Sequence, residues 1–404
     1  MVTQASHFLK GRNGLWEVVV GLEIHAQLNT LHKLFSPTSY AYATELPNRQ
    51  VSVIDAAFPG VQPRLNPQCL HKAVQVIAAL GGTVQPLCRF DRKHYFYPDL
   101  PQGYQITQRW NPIGKGGTLT WSTWDTLTHG QESPAGEAER PDNSVQGKSS
   151  TVQASLDLLN PIGKVRIEQV QLEQDTAKSL HDVVDGATLL DLNRAGVPLV
   201  EIITSPDIRS PREAVTVIRK LQEILQSIGA SDARMEEGSM RCDVNVSVRP
   251  APDVPSPRVN VVGLGTRVEL KNLNSLRLIH NAIQAEAERQ IRCLESTSTD
   301  EGLKIKQETR GFDPTTATTF RLRSKEQAPD YRYMPETDIP SFQLSHDFVR
   351  TVRARMAELP DARRRRLCQT YGLKLIECHQ LMVEPGAVEY FEATIRLTTS
   401  PATN

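Results

Sequence analysis

The stretch WEVVVGLEIHAQL, Trp16–Leu28, decides how the rest of the chain is read. Taken in steps of two, Leu22, Ile24, Ala26 and Leu28 form one face, and Gly21, Glu23, His25 and Gln27 form the other. A strand of this kind has a core side and a wet side. The wet side holds a carboxylate and an imidazole on adjacent like-facing positions. Glu23 and His25 are therefore either ordinary surface groups or groups held for chemistry.

The whole chain has 404 residues, 39% of them hydrophobic, enough for one large domain or two ordinary ones. Its 46 basic and 46 acidic residues balance, so net charge gives no sign of nucleic-acid binding. Such a partner has to be met by a local patch. The 6 cysteines are scattered without a CxxC pair, which reads as free thiols in a reducing compartment, with neither a disulfide frame nor a zinc site. No apolar run reaches the roughly 18 residues of a membrane span, so no membrane insertion is expected. Lys10 and Arg12 precede the first acid, Glu17, and no secretory apolar core is present, a pattern that fits the remnant of an organellar presequence.

Outward from the opening strand, NPQCLHKAVQVIAALGG reads as a helix, with Asn66 as its N-cap, Pro67 in its first turn and Gly81 ending it. The polar segment from about 127 to 150 reads as a disordered insertion. GKVRIEQVQLEQD is strand-like, and ATLLDLNRAGVPLVEIITS reads as a hairpin turning at Arg194–Ala195–Gly196. SPREAVTVIRKLQEILQSIG is the clearest helix, with Ser210 capping, Pro211 first and Glu213 completing a capping box. The strands SMRCDVNVSVR and TRVELKNLN follow, then a helix from about Leu276 to Leu294. The chain after Val349 reads as helical and basic, with DARRRRL inside it. Neither a GxGxxG nor a GxxxxGK[ST] pattern occurs. Strands and helices without regular βαβ alternation predict an α+β fold with a large, mostly antiparallel sheet and flanking helices.

Several segments carry more polar residues than local structure asks for. FDRKHYFYPDLPQGYQITQ holds Lys93, Tyr95, Asp99 and Tyr104, which suit either an aromatic strand and turn or a phosphate and substrate surface with base-stacking faces. QLEQDTAKS brings Glu173 and Asp175, DLNRAGVPLVEI brings Asp191, Asn193, Arg194 and Glu201, and MEEGSMRCDVNVSV brings Arg241, Asp243 and Asn245. VELKNLNS adds Glu269 and Lys271. One such strand is a solvated face, whereas several in one sheet make a polar basin. Glu, His and Asp from neighbouring strands are ligand types that suit Mg²⁺ or Mn²⁺, and such a basin often holds a nucleoside triphosphate. The run Arg363–Arg366 suits either nucleic acid or a solvated helix face.

In order along the chain, VVGLEIHAQL, KLFSP, FPGVQPRLN, FDRKHYFYPDLPQGYQITQ, LEQDTAKS, DLNRAGVPLVEI, MEEGSMRCDVNVSV, ELKNLNS, QETRGFD and RSKEQAPDYRYMPETDIP resemble the B subunit of the glutamyl-tRNA(Gln)/aspartyl-tRNA(Asn) amidotransferases. The resemblance covers about nine-tenths of the chain, from Trp16 to the early 360s. It implies a ligase that forms carbon–nitrogen bonds with glutamine as amido donor. ATP phosphorylates the side-chain carboxylate of Glu misacylated on tRNA(Gln), and ammonia channelled from an amidase (A) subunit displaces the phosphate. It also implies a small third subunit, Mg²⁺ as cofactor and ATP as co-substrate.

Carried onto this chain, the resemblance implies Glu23, His25, Lys93, Glu173 and Glu201 as catalytic residues. Tyr95, Asp99, Tyr104, Asp191, Asn193, Arg194 and Lys271 are then expected to bind substrate or ATP. Metal ligands are expected at Glu23, His25 and Glu201. Gln174 is counted with them because the family's LEED segment reads LEQD here; its amide oxygen can ligate Mg²⁺ but brings no charge. The implied organisation is a catalytic cradle domain over 1–348 and the beginning of a helical domain over 349–404. The family's tRNA-gripping tail is absent, so the chain reads as a truncated form. The alternatives are a truncated non-catalytic scaffold of the same complex and an unrelated metal-dependent hydrolase. The polar insertion and the Ala251–Pro257 loop point to a mitochondrial matrix protein, with a bacterial cytoplasmic form as the alternative.

Overall fold

The opening strand spans Leu15–Gln27, and its alternation holds: Leu22, Ile24 and Ala26 are fully buried, whereas Glu23 and His25 are half-buried. The computed structural model of the chain describes residues 8–39, 46–129, 148–251, 263–296, 305–324 and 330–399. Among these, the strand lies inside an 11-stranded sheet. Pro198–Thr204 and Met240–Pro250 pair antiparallel with it on either side. Pro161–Gln174 adds beyond the first. Val268–Leu270, Glu308–Asp313 and Thr318–Ser324 add in turn beyond the second. Val268–Leu270 pairs parallel with Glu308–Asp313, while the other registered pairs in this sheet run antiparallel. The α+β architecture with a mostly antiparallel sheet is the one expected.

Register explains how one sheet serves two purposes. Ile24 lies opposite Ile202 and Cys242, and Leu22 lies opposite Val244, so these side chains share the apolar face. The helix Leu276–Glu295 packs on Met240–Pro250, and Pro211–Ser227 packs on that helix. Each large aliphatic side chain so buried stabilises the fold by about 1.5–3 kcal/mol. With helices on one face, the other face keeps its polar row.

The helix starts follow their sequence signals. Asn66 Oδ1 accepts the Gln68 amide at 2.9 Å, and Ser210 Oγ accepts the Glu213 amide at 3.1 Å. Glu213 reaches back to the Arg209 amide at 2.8 Å, one residue before the cap. The fully buried Glu286 is bound by Arg289 at 2.7 Å and by Thr319 at 2.7 Å, which ties the long helix to the outer strands.

The expected hairpin at Arg194–Gly196 does not form. Ala187–Asp191 pairs back on Lys178–Val184 as a separate two-stranded ribbon, and Pro198–Thr204 enters the main sheet. The cause is local: Arg194 donates to the carbonyls of Thr176 at 2.9 Å and Ala177 at 2.7 Å, which pins the connection across rather than folding it back.

Two compact units divide the chain: residues 1–120 with 164–357, and residues 121–163 with 358–404. The second unit thus draws on two stretches, where the sequence suggests a single boundary at 348/349. Its core is Trp124, Leu159, Leu367, Cys368, Leu375, Cys378 and Val388. Most of the insertion expected at about 127–150 lies outside the described residues. The Arg363–Arg366 run is internally committed. Arg363 and Arg366 pair with Glu358, the buried Arg364 pairs with Asp361, and Arg365 donates to the Leu159 carbonyl. Ion pairs and a carbonyl contact within their own unit, not a free basic patch, account for these four residues. All 6 cysteines are free thiols. No helix among the described residues is long and apolar enough to cross a membrane.

Candidate active site

The polar row crosses the sheet in register. Gln171 lies opposite Glu201, Glu201 opposite His25, and His25 opposite Arg241. One pleat along, Glu23 lies opposite Asp243. Neighbouring strands therefore bring side chains distant in sequence within a few ångströms of one another.

His25, Glu173 and Glu201 converge, each offering one ligand atom within 4.8 Å of the others. His25 Nε2 is 3.0 Å from Glu173 Oε1 and 3.6 Å from Glu201 Oε1. Thr107 Oγ1 donates to Glu173 Oε2 at 3.0 Å, and Gln171 Nε2 donates to Glu201 Oε2. Thr107 comes from a second, three-stranded sheet formed by Asp91–His94, Tyr104–Thr107 and Met334–Pro335, and Lys93 belongs to the same sheet.

The three groups hold unequal protons. Burial pushes the Glu201 carboxyl up, and the Glu173 charge adds to it, to about 7. Burial works the same way on Glu173, but its hydrogen bond to His25 and the charges of His25 and Lys93 outweigh it and bring Glu173 down to about 2. Burial would lower the His25 imidazole, yet the Glu201 and Glu173 carboxylates hold it above its ordinary value. Lys93 is likewise held above its ordinary value, the carboxylates of Glu173 and Glu201 with Tyr333 and Tyr331 outweighing its burial. Two crowded carboxylates and an imidazole form a donor set that fits Mg²⁺ or Mn²⁺. The crowding that raises Glu201 is relieved when a cation takes the place of its proton.

Beside this group lies a second charged set. Lys271 Nζ binds Asp243 and stands 3.3 Å from Glu269. Asn245 Nδ2 donates to Glu23 at 2.9 Å. Glu23, expected as a ligand, is thus held in this neighbouring set and not among the three converging groups. Arg241 binds Asp175 at 2.7 Å, and that carboxylate's charge, outweighing burial, holds the guanidinium well above its ordinary value.

Gln174 is placed differently from the expectation. Strand alternation turns it to the face opposite Glu173, where it lines a cavity of about 340 Å³ with Phe35, Asp55, Asp99, Tyr104 and Gly196. Gln174→Glu is therefore expected to leave Mg²⁺ affinity within about twofold, because the added charge sits across the sheet. Calorimetric titration measures this, and a tenfold gain would return residue 174 to the ligand set.

The remaining expected residues divide by role. Tyr95 stands beside Lys93, with 5.9 Å from Nζ to its ring centroid, and burial raises its phenol. Arg92 covers the Tyr104 ring at 4.3 Å. Asp99 accepts the Ala177 amide through its backbone carbonyl at 2.8 Å. Asp191, Asn193 and Arg194 brace loops. Asp191 accepts the Asn48 and Asn193 amides, Asn193 accepts the Gln50 amide at 2.8 Å, and Arg194 takes the two carbonyls already described. Gln171, Thr107, Tyr331 and Tyr333 were not singled out from sequence. Period two counted back from Glu173 finds Gln171, and the YRY repeat within DYRYMP was the available signal for the two tyrosines.

Residues 18–350 match the family model described as the GatB/GatE catalytic domain. The chain is 41% identical to the B subunit of the mitochondrial glutamyl-tRNA(Gln) amidotransferase of Phytophthora infestans, over 98% of this chain and 72% of that protein. It is 41% identical to the B subunit of the aspartyl/glutamyl-tRNA(Asn/Gln) amidotransferase of Granulibacter bethesdensis, over 97% and 71%. The corresponding protein of Caulobacter vibrioides is 42% identical over 96% and 70%.

Proposed function

The chain belongs to the GatB/GatE catalytic-domain family, and from that premise we propose that it is the B subunit of a tRNA-dependent amidotransferase. Its reaction converts Glu on misacylated tRNA(Gln) to Gln. The γ-phosphoryl group of ATP passes to the side-chain carboxylate, giving an acyl phosphate and ADP. Ammonia then forms the C–N bond as phosphate leaves. A carboxylate resists ammonia, whereas an acyl phosphate accepts it.

The observation that carries this reading is the convergence of His25, Glu173 and Glu201 with Lys93 electrostatically coupled to them. His25, Glu173 and Glu201 would hold Mg²⁺, which supplies positive charge to the phosphates when bound. Lys93 is a fixed cation for the charge gathering on the transferred phosphoryl group. The Glu173 carboxylate favours the charged form of Lys93 against its burial. Thr107 and Gln171 orient the two carboxylates through their hydrogen bonds. Lys271, held between Asp243 and Glu269, is a second cation of the same sheet face for substrate or nucleotide oxygens.

The partners implied are an amidase subunit that releases ammonia and a small third subunit. A mitochondrial location is supported by the Phytophthora relative, and the bacterial relatives keep the cytoplasmic alternative in place. Reconstitution tests the function. With the amidase subunit, the small subunit, ATP, Mg²⁺ and glutamine, Glu-tRNA(Gln) is expected to yield Gln-tRNA(Gln) and ADP that depends on the charged tRNA. Asp-tRNA(Asn) is assayed in parallel as the second acceptor. A complex that assembles yet forms neither product, with no tRNA-dependent ADP, leaves a scaffold.

A further inference from the structure

Five aromatic rings form a connected series beside Lys93. Tyr97 and Tyr95 have centroids 6.0 Å apart, Tyr95 and Tyr331 6.0 Å, Tyr331 and Tyr333 6.1 Å, and Tyr333 and Trp110 6.4 Å, each pair edge to face. Two cations are set among them. Lys93 Nζ lies 4.8 Å from the Tyr331 centroid, and the Arg109 guanidinium lies 5.8 Å from those of both Tyr333 and Trp110. Tyr97 and Trp110, at the two ends, are 63% and 58% exposed.

The series is built into the backbone. The His94 amide donates to the Tyr331 carbonyl at 2.9 Å, and the Trp110 amide donates to Asp91 Oδ2 at 2.9 Å. Met334 and Pro335, directly after Tyr333, pair with Arg92 and Asp91. Two distant stretches of chain are thereby locked together so that Tyr331 and Tyr333 of one sit between Tyr95 and Trp110 of the other. A purely apolar partner gains nothing from Lys93 and Arg109. An RNA strand uses both features, with bases on the ring faces and phosphates on the cations. A duplex has already stacked its bases on one another, so the ligand is single-stranded.

We propose that this series is the track on which the unpaired 3′ nucleotides of aminoacyl-tRNA stack, bringing the aminoacyl group to the Lys93 end. Lys93 belongs to both constructions: it touches the rings and is coupled to Glu173 of the three-ligand group. The proposal rests on the amidotransferase reading above and adds the residues that seat its RNA substrate.

The test uses the reconstituted complex and two uncharged forms of tRNA(Gln), one intact and one trimmed of its unpaired 3′ nucleotides. Each serves as a competitor of Glu-tRNA(Gln) and as a direct ligand in filter binding. The parent complex is expected to prefer the intact form. Trp110→Ala and Tyr333→Leu are each expected to weaken the intact form about 5- to 100-fold, leaving the trimmed form and the KM for ATP unchanged. Tyr333→Phe, which keeps the ring, is expected to retain the preference. Trp110 is exposed, so its removal spares the core, and circular dichroism verifies the fold. The proposal is overturned if the parent binds both forms alike, if both ring-deleting variants keep the preference, or if their loss falls on ATP. Absent turnover of Glu-tRNA(Gln) would instead count against the amidotransferase reading, while the intact-versus-trimmed binding comparison still reports on the track.

Discussion

Glu201→Gln is expected to cut transamidation and Mg²⁺ affinity by about a hundredfold or more, and to make the protein more thermostable in EDTA above pH 7. Both effects follow from one buried carboxyl. Burial, with the Glu173 charge beside it, moves Glu201 from the ordinary 4.5 to about 7. Below about pH 4.5 the group is protonated whether the chain is folded or not, and it costs nothing. Between there and about pH 7 the unfolded chain ionises while the folded chain keeps its proton, so stability falls as pH rises. Above that window the full cost stands, up to about 3 kcal/mol. Glutamine keeps the size and can still accept from Gln171, yet it never ionises. Thermal melts at pH 8 and pH 4.5 should therefore separate the two proteins at the higher pH and bring them closer at the lower. The pH dependence of metal binding gives a second readout. The parent should lose Mg²⁺ affinity up to about tenfold per pH unit below 7 as the proton competes, and the variant should lose that component. A variant that melts lower than the parent at pH 8, or that keeps full activity, contradicts the assignment.

Lys93→Met is expected to lower kcat by about 100- to 1,000-fold with a smaller effect on KM for tRNA. Methionine keeps the length and apolar character of the lysine stem, so what is lost is the charge. Lys93 is held protonated despite burial by Glu173 and Glu201, with Tyr331 and Tyr333 around it. A cation fixed before the reaction needs no reorganisation when charge gathers on the phosphoryl group. ADP formation from ATP and Glu-tRNA(Gln) without glutamine isolates the phosphorylation step, and it should fall as far as the complete reaction does. Lys93→Arg is not expected to restore the rate, because a planar fork cannot reproduce a compact point charge among tyrosine rings. Undiminished ADP formation in Lys93→Met would move Lys93 out of phosphoryl transfer.

The sequence disclosed the sheet face well and the depth of the site poorly. Period two in Leu22–Ala26 divides core from basin correctly, because local sterics alone set which way a strand side chain points. The caps at Asn66 and Ser210 were legible for the same reason. Which of the expected residues converge was not legible from the residues' own spacing, because it depends on which strands become neighbours. Glu173 and Glu201 meet His25 through the order of Pro161–Gln174, Pro198–Thr204 and Leu15–Gln27, which no single segment encodes. Gln174 shows the cost of reading a motif without its parity, since adjacent residues of a strand occupy opposite faces. The Arg194–Gly196 turn misled because a glycine beside a strand signal fits a crossing between sheets as well as a hairpin. The aromatic series depends on pairing between residues more than 200 positions apart, beyond any local pattern.

The alternation in Leu15–Gln27 also sets what kinds of change the gene can tolerate there. A substitution touches one face at a time: Ile24 can vary against the helices without disturbing His25, and His25 can vary without disturbing Ile24. Gain or loss of a single codon in this strand is a different event. It shifts the reading phase of the pleat, sends His25 toward the helices and turns Ile24 toward the basin in one step. Strands paired along both edges leave little slack to absorb the shift. The segment is therefore open to replacement letter by letter and closed to any change in its length.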